Sequence, residues 1–346
     1  MTALEAVSVY LPPARVSIEQ LAGSLGLTQM QVKLFRRFHG LNEVGRDPDM
    51  SLSDLLMKAA AGLDALRGQE HRVRYVLYAR AMPVVAPYPV NPLHEVCRAL
   101  GLEHALAFTV TQQSCASGLM AIDMAGRLLA ADGAAAPDGS GPDGSAPDGS
   151  APDGSAPDGS APDGSGPSGD PAGPLALILA GEKAFTHDAQ VFTDTTVFGE
   201  GASACLVSAS GARDRLLAYA SNVRGDFDNA TGENDARLQR EYRPLLAEVM
   251  LRALDEAGLT LDDIRVILPH NVNMVTWQRM CLLLKFPRDR VLLDNIPTSG
   301  HVFCADLFVN YQTACERGLL QPGDRYLAAA VGAGGGATFA AMVFEH

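Results

Sequence analysis

Cys115 stands in the run TQQSCASGLMAID, where an apolar strand over residues 108–111 gives way to a helix over residues 115–131. The small or apolar positions Leu119, Ile122, Ala125, Leu128 and Leu129 mark that helix. A cysteine at such a junction meets the unpaired N–H groups of a helix start, which stabilise a thiolate, the nucleophilic form of the side chain. Ala116, Ser117 and Gly118 behind it let a substrate approach the backbone closely. The plainer reading is a small buried hydrophobe, and it is the one that fits the other five cysteines (97, 205, 281, 304, 315), which lie in apolar or helical contexts.

A second candidate is His270 in the run PHNVN, at the end of a short strand over residues 266–268. A strand that ends there and turns into a helix delivers its imidazole to the carboxyl edge of a sheet, where ligands collect in α/β folds. A lone histidine is usually structural; beside a cysteine presented the same way it becomes a general base. The run DNIPTSGHVFCADLFVNY adds Asn295, His301 and Asp306, any of which could orient an imidazole. The run VGAGGGATFAAMV leaves backbone N–H groups free for a developing oxyanion, although a glycine run is equally a tight turn.

These residues need a scaffold, and strands alternate with helices along most of the chain. Strands are predicted at 5–10, 74–79 and 175–180, with helices at 18–25, 29–38, 51–66 and 93–100. Thr28 and Gln31 form a capping-box pattern at the start of the second of these helices. The scheme recurs later, with helices at 242–257, 272–284 and 305–317. Such alternation implies helices covering a largely buried sheet. No GxGxxG follows the first strand and no GxxxxGK[ST] occurs, so nucleotide-binding folds lose their main support.

Composition narrows the partners. The 346 residues are 47% hydrophobic and carry 27 Lys+Arg against 40 Asp+Glu, a net charge of −13. An acidic surface argues against nucleic acid or an anionic membrane. Seven of the acidic residues lie in 133–174, which holds no Lys or Arg, so more than half the net charge is local. Within it P-D-G-S-[A/G] repeats six times over 137–166; such a composition builds no apolar core and is expected to be a disordered surface insertion. The cysteines are scattered without C-x-x-C, which excludes a zinc finger and points to reduced thiols in the cytoplasm. Residues 326–344 are uncharged, but their glycines predict a strand, a turn and a second strand rather than a membrane helix.

Together the motifs resemble the β-ketoacyl-acyl carrier protein synthase III family of the thiolase superfamily. Cys115 in SCASGL matches the family nucleophile, and PHNVN resembles its Pro-His-Gln-Ala-Asn motif, with Asn273 beside His270. Phe198–Ala202 resembles Phe-Gly-Asp-Gly-Ala, with Glu200 for Asp, and GGGAT resembles Gly-Gly-Gly-Phe-Thr. The resemblance implies an α/β thiolase fold, five-layered αβαβα, of two similar halves. The first half would span 1–212, with the repeat insertion at 133–174, and the second 213–346. It also implies a homodimer, with Tyr88 of Tyr88-Pro89 reaching into the partner's tunnel. It implies an oxyanion hole made by the N–H groups of Cys115 and Gly335, and Arg37, or Arg36, near the donor's nucleotide. The expected substrates are coenzyme A or acyl carrier protein thioesters carrying phosphopantetheine, with no metal and no bound cofactor.

One departure carries the functional expectation. Condensing members have a Gly-Asn-Thr/Ser-Ser-Ala motif whose Asn joins the His in holding the malonyl thioester carbonyl. Here Thr298 takes the Asn position, with Asn295 three residues early. The run Gly300-His301-Val302-Phe303-Cys304-Ala305-Asp306 instead resembles family members of natural-product pathways that use Cys, His and Asp to transfer acyl groups. The chain is therefore read as an acyltransferase of secondary metabolism, polyketide or antibiotic, with Cys115 as nucleophile and His270 as base. Asp306 is expected to orient His270, and His301 to be a structural or pocket residue. The acceptor would be a hydroxyl, an amine or a second carrier. A decarboxylating synthase that starts polyketide or fatty-acid chains, using Asn295, and a non-catalytic dimer partner are the alternatives.

Overall fold

Side chains alternate between two cores along almost every central strand, and this alternation sets the architecture. The computed structural model describes residues 1–135, 173–187, 189–227, 233–333 and 336–346. The PDGSA repeat and Gly335 lie outside the described residues. The strands are β1 (Ala3–Tyr10), β2 (Val73–Ala79), β3 (Leu106–Val110), β4 (Leu175–Glu182) and β5 (Gly201–Ser208), then β6 (Arg215–Arg224), β7 (Ile264–Pro269), β8 (Arg325–Ala333) and β9 (Ala337–Glu345). They form one sheet in the order β7-β8-β9-β6-β1-β5-β4-β2-β3. The order is two copies of one scheme: β1, β5, β4 and β2 run outward on one side as β6, β9, β8 and β7 do on the other. The copies meet at β1 and β6, which share the single antiparallel register pair Ala3–Arg215, and the 212/213 boundary falls in the turn between β5 and β6.

Helices fill the spaces between. In β4, Leu175, Leu177 and Leu179 pack outward under α1 (Leu52–Ala61) and α2 (Pro92–Ala99). The intervening Ala176, Ile178 and Ala180 face the middle layer of α3 (Ser117–Ala135) and α6 (Asp306–Glu316). On the other side, Phe339, Ala341 and Val343 of β9 pack under α4 (Glu233–Glu256) and α5 (Met274–Leu284), while Ala340, Met342 and Phe344 face the middle. The result is the five-layered αβαβα arrangement. Each large apolar side chain so buried contributes on the order of 1.5–3 kcal/mol.

Two differences from the predicted elements bear on the site. The segment 29–38 is α-helical only over Gln29–Lys33, with the Thr28–Gln31 capping box formed, and then widens into a π-helical turn over Leu34–His39. Gly40 ends that turn at φ 75°, and a Cβ there would lie 2.4 Å from the Met274 sulfur. Helix α4 begins nine residues before Tyr242, a stretch too polar to show a period, and carries Pro244 inside it. As predicted, the stretch 326–344 holds two strands, β8 and β9, which pair antiparallel from Arg325–Glu345 to Ala333–Ala337. Among the described residues no helix is long and apolar enough to cross a membrane.

Candidate active site

Cys115 sits, buried, in a single 3-10 turn (Ser114–Ala116) that joins the end of β3 to α3. The turn is strained: Gln112 and Ser114 hold positive φ (69° and 44°) without being glycine. Gly332 of β8 supports it from below, and a Cβ there would lie 2.0 Å from the Gln113 carbonyl oxygen. The thiol is thus fixed on a rigid sheet edge at the head of a helix.

The imidazole beside the sulfur is that of His301. Its Nε2 lies 3.1 Å from Cys115 Sγ, and its Nδ1 lies 2.5 Å from Asp306 Oδ2. Asp306 opens α6 and is buried, where the helix start favours an acid. Its Oδ2 also accepts the Asn271 N–H (2.5 Å), and its Oδ1 accepts the Val302 N–H (2.7 Å). The His301 ring is clamped as well as bonded. Its backbone pairs with the 197–199 segment, because Gly199 and Gly300 leave no Cβ between the two chains. Phe198 stacks on the imidazole with centroids 4.9 Å apart, and on Phe303 at 4.5 Å. Burial opposes a charge on His301, but the Asp306 carboxylate and the Cys115 sulfur outweigh it and hold its pKa well above the ordinary value.

The expected pairing of Asp306 with His270 is therefore corrected: among the described residues, the hydrogen bonds of that carboxylate go to His301, Asn271 and Val302. His270 does reach the same pocket from the end of β7, its ring 5.8 Å from that of His301. Its Nε2 lies 2.7 Å from the Tyr242 hydroxyl, and its Nδ1, buried, has no partner among the described residues. Burial, and then the charge of His301, push its pKa down to about 3. Chain spacing alone did not show which imidazole faces the sulfur, and Tyr242 had no motif to mark it.

The remaining candidates are spread out. Asn273 caps α5, accepting the Thr276 N–H (2.8 Å) and donating to the Thr195 carbonyl (3.0 Å), so it shapes the wall rather than facing the pocket. Asn295 does not join a histidine; its amide donates to Asn310 and Thr313 on α6. Arg37 is exposed on the π-helical turn, while its neighbour Arg36 pairs with Glu19. Tyr88 is 98% exposed, after which the chain takes a cis bond to Pro89. Cys115, His270, His301 and Tyr242 open into one pocket of about 80 Å³. Phe192, Leu238, Val272 and Val331 give it an apolar wall, and Thr195, Gln239 and Arg243 a polar one.

A family model, 3-oxoacyl-[acyl-carrier-protein] synthase III C terminal, matches residues 254–346, the stretch that holds both histidines and Asp306. The β-ketoacyl-[acyl-carrier-protein] synthase III of Aquifex aeolicus is 25% identical over 158 residues, 43% of this chain and 50% of that protein. Synthase III 2 of Vibrio cholerae is 30% identical over 166 residues, 48% of this chain and 43% of its own. The chain is thus similar to β-ketoacyl-acyl carrier protein synthases III, most directly in its C-terminal stretch. It spans about half the length of the curated relatives it matches. The synthase III fold extends over the whole chain. The crystal structure of the Aquifex aeolicus synthase III has a TM-score of 0.76 at 18% identity, covering 100% of both chains. The acyltransferase ChlB3 has a TM-score of 0.76 at 20% identity, covering 99% of this chain and 97% of that one. At these identities the likeness is one of fold.

Proposed function

We propose that this synthase III-like chain is an acyltransferase working through an acyl-Cys115 intermediate. The observation that carries the reading is the line from Cys115 Sγ through the His301 imidazole to Asp306. His301 Nε2 takes the thiol proton, and the sulfur attacks the carbonyl carbon of an acyl thioester of coenzyme A or a carrier protein. The bond to the pantetheine sulfur breaks, and that sulfur leaves with the proton from His301. An acceptor hydroxyl, amine or second carrier thiol then gives its proton to His301 and attacks the acyl carbon, and the Cys115 sulfur leaves. Asp306 holds the imidazole in the tautomer that faces the sulfur and stabilises the imidazolium. The Cys115 N–H, with that of Gly335, would hold the oxyanion.

Condensation makes a different demand. A neutral His and Asn together stabilise the enolate left when malonate loses carbon dioxide, and here Asn295 is turned to α6. The acyl group would fill the apolar side of the pocket. The same reading makes the chain a homodimer, supported by the exposed Tyr88, Val84 and Phe185 and by Leu106 on the edge strand β3. Intact-protein mass spectrometry with a panel of acyl and malonyl thioesters, and Cys115→Ala as control, tests the assignment. An acyl or whole malonyl adduct on Cys115, released only by an added acceptor, is the expected result. Loss of carbon dioxide with a β-keto thioester product makes it a condensing enzyme.

A further inference from the structure

Tyr242 belongs to no motif, yet it makes the one side-chain hydrogen bond of His270 among the described residues. It comes from α4, four residues after Leu238 of the pocket wall, and its ring meets the edge of Phe339 at 6.0 Å. His270 is fixed at its backbone, donating its N–H to the Ala329 carbonyl (3.0 Å) and accepting the Trp277 indole N–H (2.9 Å) on its own carbonyl. These bonds hold the backbone from which the ring projects, and the ring itself packs edge-on against Trp277 and His301, with centroids 5.7 and 5.8 Å away. Burial raises the phenol's pKa as it lowers that of His270, so both partners are neutral.

The contact occupies the nitrogen that condensation would need. When a malonyl thioester loses carbon dioxide, the electron pair of the breaking C–C bond passes to an enolate, whose oxygen a histidine N–H must hold. If Nε2 of His270 bears the proton, it donates to the Tyr242 oxygen; if it does not, it accepts the Tyr242 O–H. In either tautomer a substrate carbonyl reaches Nε2 only by displacing the phenol. We propose that Tyr242 is a specificity-determining residue, whose hydroxyl withholds His270 from a malonyl thioester and leaves proton transfer at Cys115 to His301. The inference rests on the acyl-transfer reading and states what keeps the site from condensing.

The full-length protein tests it in two ways. Ring-¹⁵N histidine spectra at neutral pH, with His270 assigned from His270→Gln, report the contact without any turnover. The His270 Nε2 signal is expected to move in Tyr242→Phe, which keeps the ring packed on Phe339, and in Tyr242→Met, which fills the site without a hydroxyl. An unmoved signal in either folded variant overturns the contact. The second readout is carbon dioxide released from a malonyl thioester per acylated Cys115. Freeing a neutral hydrogen bond predicts a rise of up to about tenfold in Tyr242→Phe, absent in Tyr242→Phe with His270→Gln. An unchanged release overturns the inference alone. Failure of the wild type to pass its acyl group to any acceptor overturns the acyl-transfer reading alone.

Discussion

His270 and His301 lie edge to plane with ring centroids 5.8 Å apart, and their surroundings push their protonation in opposite directions. Burial favours the neutral form of both. His301 escapes because Asp306 touches it, and its positive charge then depresses His270 further. Of two imidazoles in one pocket, one is thus poised to take and hold the Cys115 proton and the other is kept neutral.

That division predicts unequal losses on substitution. Glutamine cannot accept and return a proton, so His301→Gln should slow acylation of Cys115 about 10²- to 10⁴-fold. His270→Gln keeps a neutral polar group in place and should stay within about tenfold. Single-turnover labelling followed by intact-mass measurement compares the two, and the reverse order would return His270 to the role of base.

Asp306→Asn separates shape from charge. The amide must turn its NH₂ towards one of the three donors that now meet the carboxylate: His301 Nδ1, Asn271 N–H or Val302 N–H. One buried donor is left unpaired, at a cost of about 1–3 kcal/mol in urea unfolding. Removing the negative charge also weakens the hold of His301 on its proton, so the basic group in the pH–rate profile should titrate at lower pH. Transfer should fall about 10²- to 10⁴-fold. An unchanged rate and profile would remove Asp306 from the mechanism.

The fold and half of the site could be read from the chain because they depend on local pattern. Alternation in 175–180 gives a strand with two buried faces, and the small residues after Cys115 mark a strand-to-helix junction. The sequence reading assigns Asp306 to His270 and misses His301 as its partner, although an acid at the start of α6 lies within reach of an imidazole five residues back. The choice between histidines is not local. It is made by Phe198, which reaches His301 from another segment, and by Tyr242, which reaches His270 from α4. Asn295 shows the converse: the right residue type close to the right place in sequence, committed to Asn310 and Thr313 by the packing of α6.

Gly332 offers a test of how rigidly the thiol is presented. A methyl group at this position would lie 2.0 Å from the Gln113 oxygen and 2.9 Å from the Ser114 Cβ, so the turn carrying Cys115 must move. Overpacking of this kind costs about 1–3 kcal/mol. The shift also takes Sγ away from His301, so Gly332→Ala should lose more than tenfold in Cys115 acylation while the folded fraction at neutral pH stays high. Acylation and urea unfolding on the same preparation separate the two effects; a stability loss with full acylation would mean that the turn relaxes without moving the sulfur.

The neutral state of His270 has a signature in acid. In the unfolded chain a histidine takes up its proton near pH 6.5, whereas in the fold His270 does so only near pH 3. Between these values the unfolded state holds the extra proton, so stability from this residue is complete above pH 6.5 and is lost as pH falls towards 3. His301 has the opposite sign: its raised pKa gives stability that is complete below 6.5 and is lost only as pH rises through its folded value. Replacing His270 by glutamine removes the acid-side slope alone. The wild type should therefore lose stability relative to His270→Gln by up to about 1.4 kcal/mol per pH unit between pH 6 and pH 4. Urea unfolding of both proteins across that range measures the difference, and parallel curves would mean that His270 is free to take a proton in the folded protein.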